Sequence, residues 1–431
     1  MEPGTRLLDV AIIGGGLAGV VALTYARRAG LDALVLERQS RVGGLWRDLP
    51  AWQDIQISPA DWALGDLPLG GATQPHILTH LDAWVERYGL ASRIQLDTPV
   101  QRARWSDAAW ELETAQGVVR ARHLVAATGA HNTPVIPQIA RSKSRVHEFH
   151  SSALRDPAEL TGREVLVVGG GASAFDLLEL CFQHGARRVV WVYRGLRWFI
   201  PTGKPKHIAG SVRGLARMQG SGMVAAEQSA VIGADMHARY QKFGIDAIMP
   251  ARAFDVQQDQ LIPGRPVMLA NFAAIERHAG SVQSIDGNRV TLSGGQQLET
   301  ELLLWGTGYS VDLSYFEAPE LASIRSLEAL GARCGGIFCS LDAPNLYFPG
   351  VGLDGIGSAP WSYCLLSRSI MSHICGTAQF DRAVVGHKVN HFDIVDYLAP
   401  RDPASYPPQT WRTHYRDIAL NTPDTQPYPI P

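Results

Sequence analysis

Glu37 and Arg194 are side chains of opposite charge that stand at matching points of two similar stretches. Glu37 comes 23 residues after the first glycine of Gly14-Gly15-Gly16-Leu17-Ala18-Gly19, a G-x-G-x-x-G pattern. A carboxylate at that point can accept both hydroxyls of an adenosine ribose. Gly14 permits the tight turn, Gly16 lets a phosphate approach the backbone, and Gly19 lets a helix pack close to a strand. Arg194 comes after Gly169-Gly170-Gly171-Ala172-Ser173-Ala174, a G-x-G-x-x-A pattern. A guanidinium there can form charge-assisted bonds to a 2′-phosphate, which a carboxylate would repel. The chemistry predicted is the binding of two dinucleotides, the second of them NADPH. Arg197 and Lys204 are candidates to share the phosphate, and a plain surface charge is the other reading of Arg194.

Both side chains need a strand, a turn, a helix and a second strand to hold them. Leu7, Leu8, Val10, Ala11, Ile12 and Ile13 make the short apolar run of a buried parallel strand. A helix is predicted over residues 18–29, stopped by Gly30, and a strand over residues 33–36 leads into Glu37. The order returns as a strand over 165–168, a helix over 172–184 stopped by Gly185, and a strand over 189–193 leading into Arg194. Residues 76–90 read as an amphipathic helix with Trp84 and Tyr88 in the core, and residues 94–113 and 118–124 as strands of a small sheet. Residues 51–69 read as loop with short turns and 202–250 as a polar helical insert without a motif. Residues 265–269 and 280–292 read as strand-like, with a turn at Asp286-Gly287-Asn288.

Three further segments add to this frame. Gly43-Gly44-Leu45-Trp46 permits close backbone approach to a cofactor, with Trp46 either walling a flavin or substrate or filling the core. Ala127-Thr128-Gly129 ends a buried strand in small residues, and Gly306-Thr307-Gly308-Tyr309 ends another. With these the chain resembles the FAD-containing pyridine nucleotide oxidoreductases, and within them the single-component (class B) flavin-dependent monooxygenases. Those enzymes carry G-G-x-W, A-T-G and A-T-G-Y at these points, with Gly306 standing here for Ala. The resemblance implies an α/β fold of two Rossmann-like dinucleotide-binding domains, the NADPH domain inserted into a discontinuous FAD domain. The expected division is 1–155 for the first part of the FAD domain, 156–298 for the NADPH domain with its insert, 299–398 for the return part, and 399–431 for a Pro-rich tail.

The resemblance assigns FAD to Gly14, Gly16, Gly19, Glu37, Gly44, Leu45, Trp46, Val100, Thr128 and Gly129, with Val100 near the adenine. It assigns NADPH to Gly169, Gly171, Ser173, Ala174 and Arg194, and places Gly308 and Tyr309 where the chain returns to the FAD domain. Asp54 and Gln56, with Trp52 and Trp62, fall in the loop that passes the flavin, as candidate catalytic or pocket residues or as plain surface. The fingerprint F-x-G-x-x-x-H followed by an aromatic survives only at His150. Ser144, Val146 and Leu154 replace its other members. His150 either orients the linker and the nicotinamide or is an ordinary satisfied histidine. Arg194, Trp198 and Pro201 match the R-T-P-x-W-x-x-P stretch of the Baeyer–Villiger branch.

Composition bounds the rest. The 431 residues are 46% hydrophobic and 19% charged, enough core for two or three domains. A net charge of −2 gives no electrostatic case for nucleic acid or an anionic membrane. Residues 10–26 are uncharged but shorter than the roughly 20 residues of a membrane span, and they hold four glycines. Five cysteines, few and odd in number, fit a reduced cytoplasmic protein. Cys334 and Cys339 have the spacing of a flavin disulfide reductase pair but lie late in the chain. His76/His80 and His387/His391 lack the Glu of H-E-x-x-H, so no metal is expected.

What remains is O2 as oxidant. The resemblance then implies NADPH reducing FAD, a C4a-(hydro)peroxyflavin, and transfer of one oxygen atom to a small organic metabolite. Heteroatom or carbon oxygenation leads. Baeyer–Villiger insertion, an NADPH-dependent flavin oxidoreductase without oxygenation, and a flavin-binding sensor stay open. Expected partners are the substrate and O2, with a homodimer as candidate assembly.

Overall fold

The apolar run Leu7–Ile13 lies between two parallel strands, with Ile13 opposite Leu36 of Ala33–Leu36 and opposite Ala126 of Gly117–Ala126. The computed structural model describes residues 6–55, 59–64, 67–203, 224–256, 258–259, 261–349 and 359–380. Gly117–Ala126 is long enough to take two partners on its outer side. Its first half pairs antiparallel with Ala109–Thr114, and Leu124 and Val125 pair with Leu346 and Tyr347. Ile94–Gln95 and Arg102–Ser106 form the two edges of this seven-stranded sheet. The predicted small sheet of residues 94–124 is thus part of the first module. The positive φ of Asp107 and Ala108 folds Arg102–Ser106 back on Ala109–Thr114.

The helix Leu17–Arg28 covers one face, with every residue from Leu17 to Ala26 buried. It packs against the helix Ala359–Ile374, which returns from the far end of the chain. Val10, Ile12, Val20 and Val21 are fully excluded from solvent, each contributing about 1.5–3 kcal/mol of hydrophobic burial. In the helix Gln74–Arg87, Trp84 is buried and its indole donates to Thr24 Oγ1 at 3.0 Å, as a core position requires.

The second sheet is all parallel, in the order Ile275–Ala279, Arg188–Tyr193, Glu164–Val168, Leu302–Trp305, His147–His150. Its three central strands, Arg188–Tyr193, Glu164–Val168 and Leu302–Trp305, are nearly continuous apolar runs because both faces are covered, whereas the two outer strands carry polar residues. The helix Ala172–Gln183 lies on one face, and a four-stranded sheet that includes Val282–Asp286 and Arg289–Leu292 packs on the other. His147–His150 and Leu302–Trp305, which the sequence reading divides between the two halves of the first domain, both sit in this second sheet.

One segment differs from expectation. Residues 266–270 form a helical turn, Pro266–Ala270, where a strand was predicted. Pro266 sets the first helical φ, and the Glu179 carboxylate accepts from Met268 N at 2.6 Å and Val267 N at 3.3 Å, satisfying first-turn donors. The loop of residues 51–69 contains a one-turn helix, Pro59–Trp62. In the insert, Ala225–Phe243 is helical. Residues 204–223, the turn before Ala359 and the Pro-rich tail lie outside the described residues. No helix among the described residues is long and apolar enough to cross a membrane.

Candidate dinucleotide sites and their junction

The two glycine turns are anchored by the same backbone bond. Gly14 N–H donates to Leu36 O and Gly169 N–H to Val192 O, each at 2.9 Å, so each turn is fixed to the end of its neighbouring strand. Gly14 and Gly169 have φ of 102° and 136°, and a Cβ on either would collide with a backbone carbonyl, Ala127 O or Gly306 O. Gly19 and Gly306 are packing glycines. A Cβ on Gly19 would fall 1.8 Å from Gly14 O, and one on Gly306 2.7 Å from Ala174 Cα, which is why Gly306 replaces alanine.

At the first turn the Glu37 carboxylate is buried, 3% exposed. It accepts from Gly15 N–H and, at 2.8 Å, from Gln39 N–H. It makes no ion pair among the described residues, so its remaining lone pairs are available to hydroxyl donors. Gly43 N–H donates to Gly15 O at 3.0 Å, and Gly44, with φ 53°, lies against Gly16. The Gly43-Gly44 segment therefore forms the second wall of the turn. Leu45 and Trp46 open the short helix Leu45–Asp48 that follows, where Trp46 packs edge-on to Trp62 at 6.0 Å. Val100 is half-buried against the same core. A buried anion beside a glycine cradle suits an adenosine diphosphate whose ribose carries free hydroxyls.

At the second turn the Trp191 indole donates to Gly169 O at 2.7 Å, supporting the turn from below. Gly171 caps the helix Ala172–Gln183 and has nothing within 4 Å of its Cβ position, which leaves room for a phosphate. Ser173 is half-buried and Ala174 fully buried beneath it. Arg194 is exposed and makes no ion pair among the described residues. Arg197 N–H donates to Gly170 O at 3.4 Å. The residues thus present an open cradle with cations at its rim, the reverse of the first site.

The modules meet at two crossings that pair with each other. Thr133–Pro134 and Tyr309–Ser310 form an antiparallel ribbon, Val135 N–H donates to Gly308 O at 3.0 Å, and Asp312 N–H donates to Asn132 Oδ1 at 2.9 Å. Thr128 Oγ1 lies 3.4 Å from the Tyr315 hydroxyl, and Gly129 takes φ 86° to turn the first crossing. His150 fastens the ribbon. Its Nε2–H donates to Gly308 O at 2.9 Å, while Nδ1 accepts from the Ser152 hydroxyl at 2.9 Å and Ser152 N–H at 3.2 Å. Its ring packs edge-on to Tyr309 at 5.0 Å. Burial lowers the His150 pKa and raises that of Tyr309. His150 is therefore a neutral ring with both nitrogens engaged, which fits a positioning part better than a proton carrier.

Asp54 is half-buried and bridges to Thr73, and Trp52 reaches across the junction, its indole donating to Leu154 O at 2.6 Å. Gln56 and Lys204 lie outside the described residues. The histidine pair on Gln74–Arg87 is used locally, His76 Nδ1 lying 2.8 Å from Thr73 Oγ1 and His80 Nε2 accepting from Leu64 N–H at 2.7 Å. No group of metal-ligating side chains occurs among the described residues. Cys334 and Cys339, beside the closing strand, are not joined by a disulfide, and burial pushes Cys334 far above the usual thiol range. The sequence reading passed over Arg265, fully buried with its Nε 2.9 Å from Asp176 Oδ1. The only local signal is an Arg next to a Pro in an apolar run, and its partner lies 89 residues away.

Comparison with known proteins agrees with this geometry. Residues 11–232 match the pyridine nucleotide-disulphide oxidoreductase family. A Baeyer–Villiger monooxygenase of Streptomyces coelicolor is 32% identical over 218 residues, 48% of this chain and 42% of that protein. A monooxygenase of Gibberella zeae is 28% identical over 346 residues, 71% of this chain and 63% of that protein. The chain thus spans from under half to just under two thirds of the length of these two relatives. Among solved structures, an open crystal structure of cyclohexanone monooxygenase covers 97% of this chain with a TM-score of 0.67 at 16% identity. A flavin-containing monooxygenase from Stenotrophomonas maltophilia covers 85% with a TM-score of 0.60 at 18% identity. The chain belongs to the pyridine nucleotide-disulphide oxidoreductase family.

Proposed function

We propose that the protein is an NADPH- and O2-dependent flavoprotein monooxygenase acting on a small organic metabolite. The observation that carries this reading is the pair of glycine turns, one closed by the buried anion Glu37 and the other rimmed by the exposed cation Arg194. In it, Gly14, Gly16 and Gly19 receive the FAD diphosphate, Glu37 its ribose, Val100 its adenine, and Gly44, Leu45, Trp46, Thr128 and Gly129 line the rest. Gly169, Gly171, Ser173, Ala174 and Arg194 receive NADPH. Gly308, Tyr309 and His150 hold the crossing ribbon so that the two nucleotides keep a fixed relation, and Asp54, half-buried and bridged to Thr73, is the candidate catalytic residue of the loop that passes the flavin. FAD, when bound, supplies hydride acceptance and oxygen activation. The chain supplies binding, orientation and exclusion of water.

Heteroatom or carbon oxygenation is the leading reaction. Baeyer–Villiger insertion is supported by the Streptomyces relative and by Arg194, Trp198 and Pro201. The test is O2 uptake by FAD-loaded protein with NADPH and a panel of amines, thioethers and ketones. An oxygenated product formed in proportion to NADPH supports the reading and names the reaction. Oxidation of NADPH with only hydrogen peroxide as product, whatever the substrate, would replace it with the flavin oxidoreductase alternative.

A further inference from the structure

A cavity of about 470 Å³ opens directly beside the end of the strand that carries Arg194. Tyr193, Gly195 and Arg197 form one wall, and Arg252, Gln258 and Asp259, from the segment after the helix Ala225–Phe243, form the other. Gly195 also touches the second glycine turn, since a Cβ on Gly170 would lie 1.9 Å from Gly195 O. The cavity is therefore continuous with the place where the ribose of the second nucleotide ends.

The far wall holds an ion pair of unequal mobility. Arg252 Nη2 is 2.5 Å from Asp259 Oδ1, with the arginine side chain 57% exposed and the aspartate 11% exposed. Asp259 is tied down by a second bond, accepting from Asp255 N–H at 2.8 Å. Arg252 can thus leave the carboxylate by rotating its own exposed side chain, while Asp259 stays fixed in its loop. A phosphate monoester carries a charge of about −1.5 to −2 at neutral pH against −1 for a carboxylate, so it competes well for a guanidinium already at the cavity.

We infer that Arg252 is a second recognition residue for the 2′-phosphate of NADPH, and that Asp259 holds it in the free protein as an internal stand-in for that phosphate. The inference rests on the reading of the second turn as an NADPH site. It adds a residue from the segment that follows the insert, which no glycine motif marks, to those at the strand end. Affinity for the phosphate is then set by exchange, because the nucleotide must displace Asp259 from Arg252. Removing the carboxylate strengthens binding, whereas removing the guanidinium weakens it.

The experiment is isothermal titration of the purified full chain with adenosine 2′,5′-bisphosphate (2′,5′-ADP) and with 5′-AMP, which differ only in the 2′-phosphate. Arg252→Gln is expected to lose about tenfold in affinity for 2′,5′-ADP, the size of one charge-assisted contact, with 5′-AMP unchanged. Asp259→Asn is expected to bind 2′,5′-ADP more tightly than wild type. If wild type prefers 2′,5′-ADP and Arg252→Gln keeps that preference, the inference is wrong and the NADPH reading stands. If wild type itself does not distinguish the two, the NADPH reading fails and the inference fails with it. An Asp259→Asn protein that binds 2′,5′-ADP no better than wild type would remove the exchange with Asp259.

Discussion

Replacing Gly171 by alanine separates nucleotide binding from folding at the second turn. The backbone at Gly171 is extended, with φ −111° and ψ −174°, which alanine adopts without strain, and its Cβ would meet nothing within 4 Å. The folded chain should therefore be unharmed or stabilised by about 0.4–1 kcal/mol through the unfolded state. On the proposed assignment a bound diphosphate takes the same open space, so the methyl group would displace it from the helix N-terminus. Losing two amide-to-phosphate bonds at about 1.5 kcal/mol each weakens NADPH roughly 150-fold. The control is Gly170→Ala, whose Cβ would fall 1.9 Å from Gly195 O and force the backbone apart, at a cost of about 3 kcal/mol in stability. Thermal melts and NADPH titration of the FAD-loaded protein read both effects. A Gly171→Ala protein with an intact melt and NADPH affinity within threefold of wild type would refute the assignment of the second turn.

Three further outcomes are expected. Glu37→Gln keeps one acceptor oxygen for either Gly15 N–H or Gln39 N–H and turns its amide donor toward the other. It should cost about 1–2 kcal/mol of stability and lower flavin retention on purification, and full retention would contradict the ribose role. Arg194→Ala should weaken NADPH about tenfold and NADH hardly at all in flavin-reduction kinetics, whereas equal losses would remove Arg194 from the phosphate. Burial and the neighbouring His373 lower the His123 pKa to about 4 from 6.5. The unfolded chain then binds the extra proton first as pH falls, so stability is whole above pH 6.5 and declines toward pH 4. Allowing for partial exposure the loss is about 2 kcal/mol, and His123→Gln should flatten that part of the denaturation profile.

The parts of the site legible from sequence are those whose chemistry is local. Gly14 to Glu37 and Gly169 to Arg194 each form one strand-turn-helix-strand unit, so residue type and spacing suffice to place them. His150 was recognisable as a residue of interest but not as a clasp, because its acceptor, Gly308 O, lies 158 residues away. The helical turn at Pro266 escaped because the Glu179 carboxylate that caps it comes from another helix. The same holds for Arg265 with Asp176, and for Arg252 facing the strand end across a cavity. In each case a short apolar or polar stretch has no periodic signature, and tertiary packing decides its conformation.

The pairing of Leu346 and Tyr347 with Leu124 and Val125 bears on the order of assembly during synthesis. More than two hundred residues separate the two strands, and the whole parallel sheet from His147 to Trp305 lies between them. On the ribosome that intervening unit has all its strands before the closing one emerges, so it can condense first. The opening sheet then waits with one flank of its longest strand unpaired, a long-range closure of the kind that slows folding.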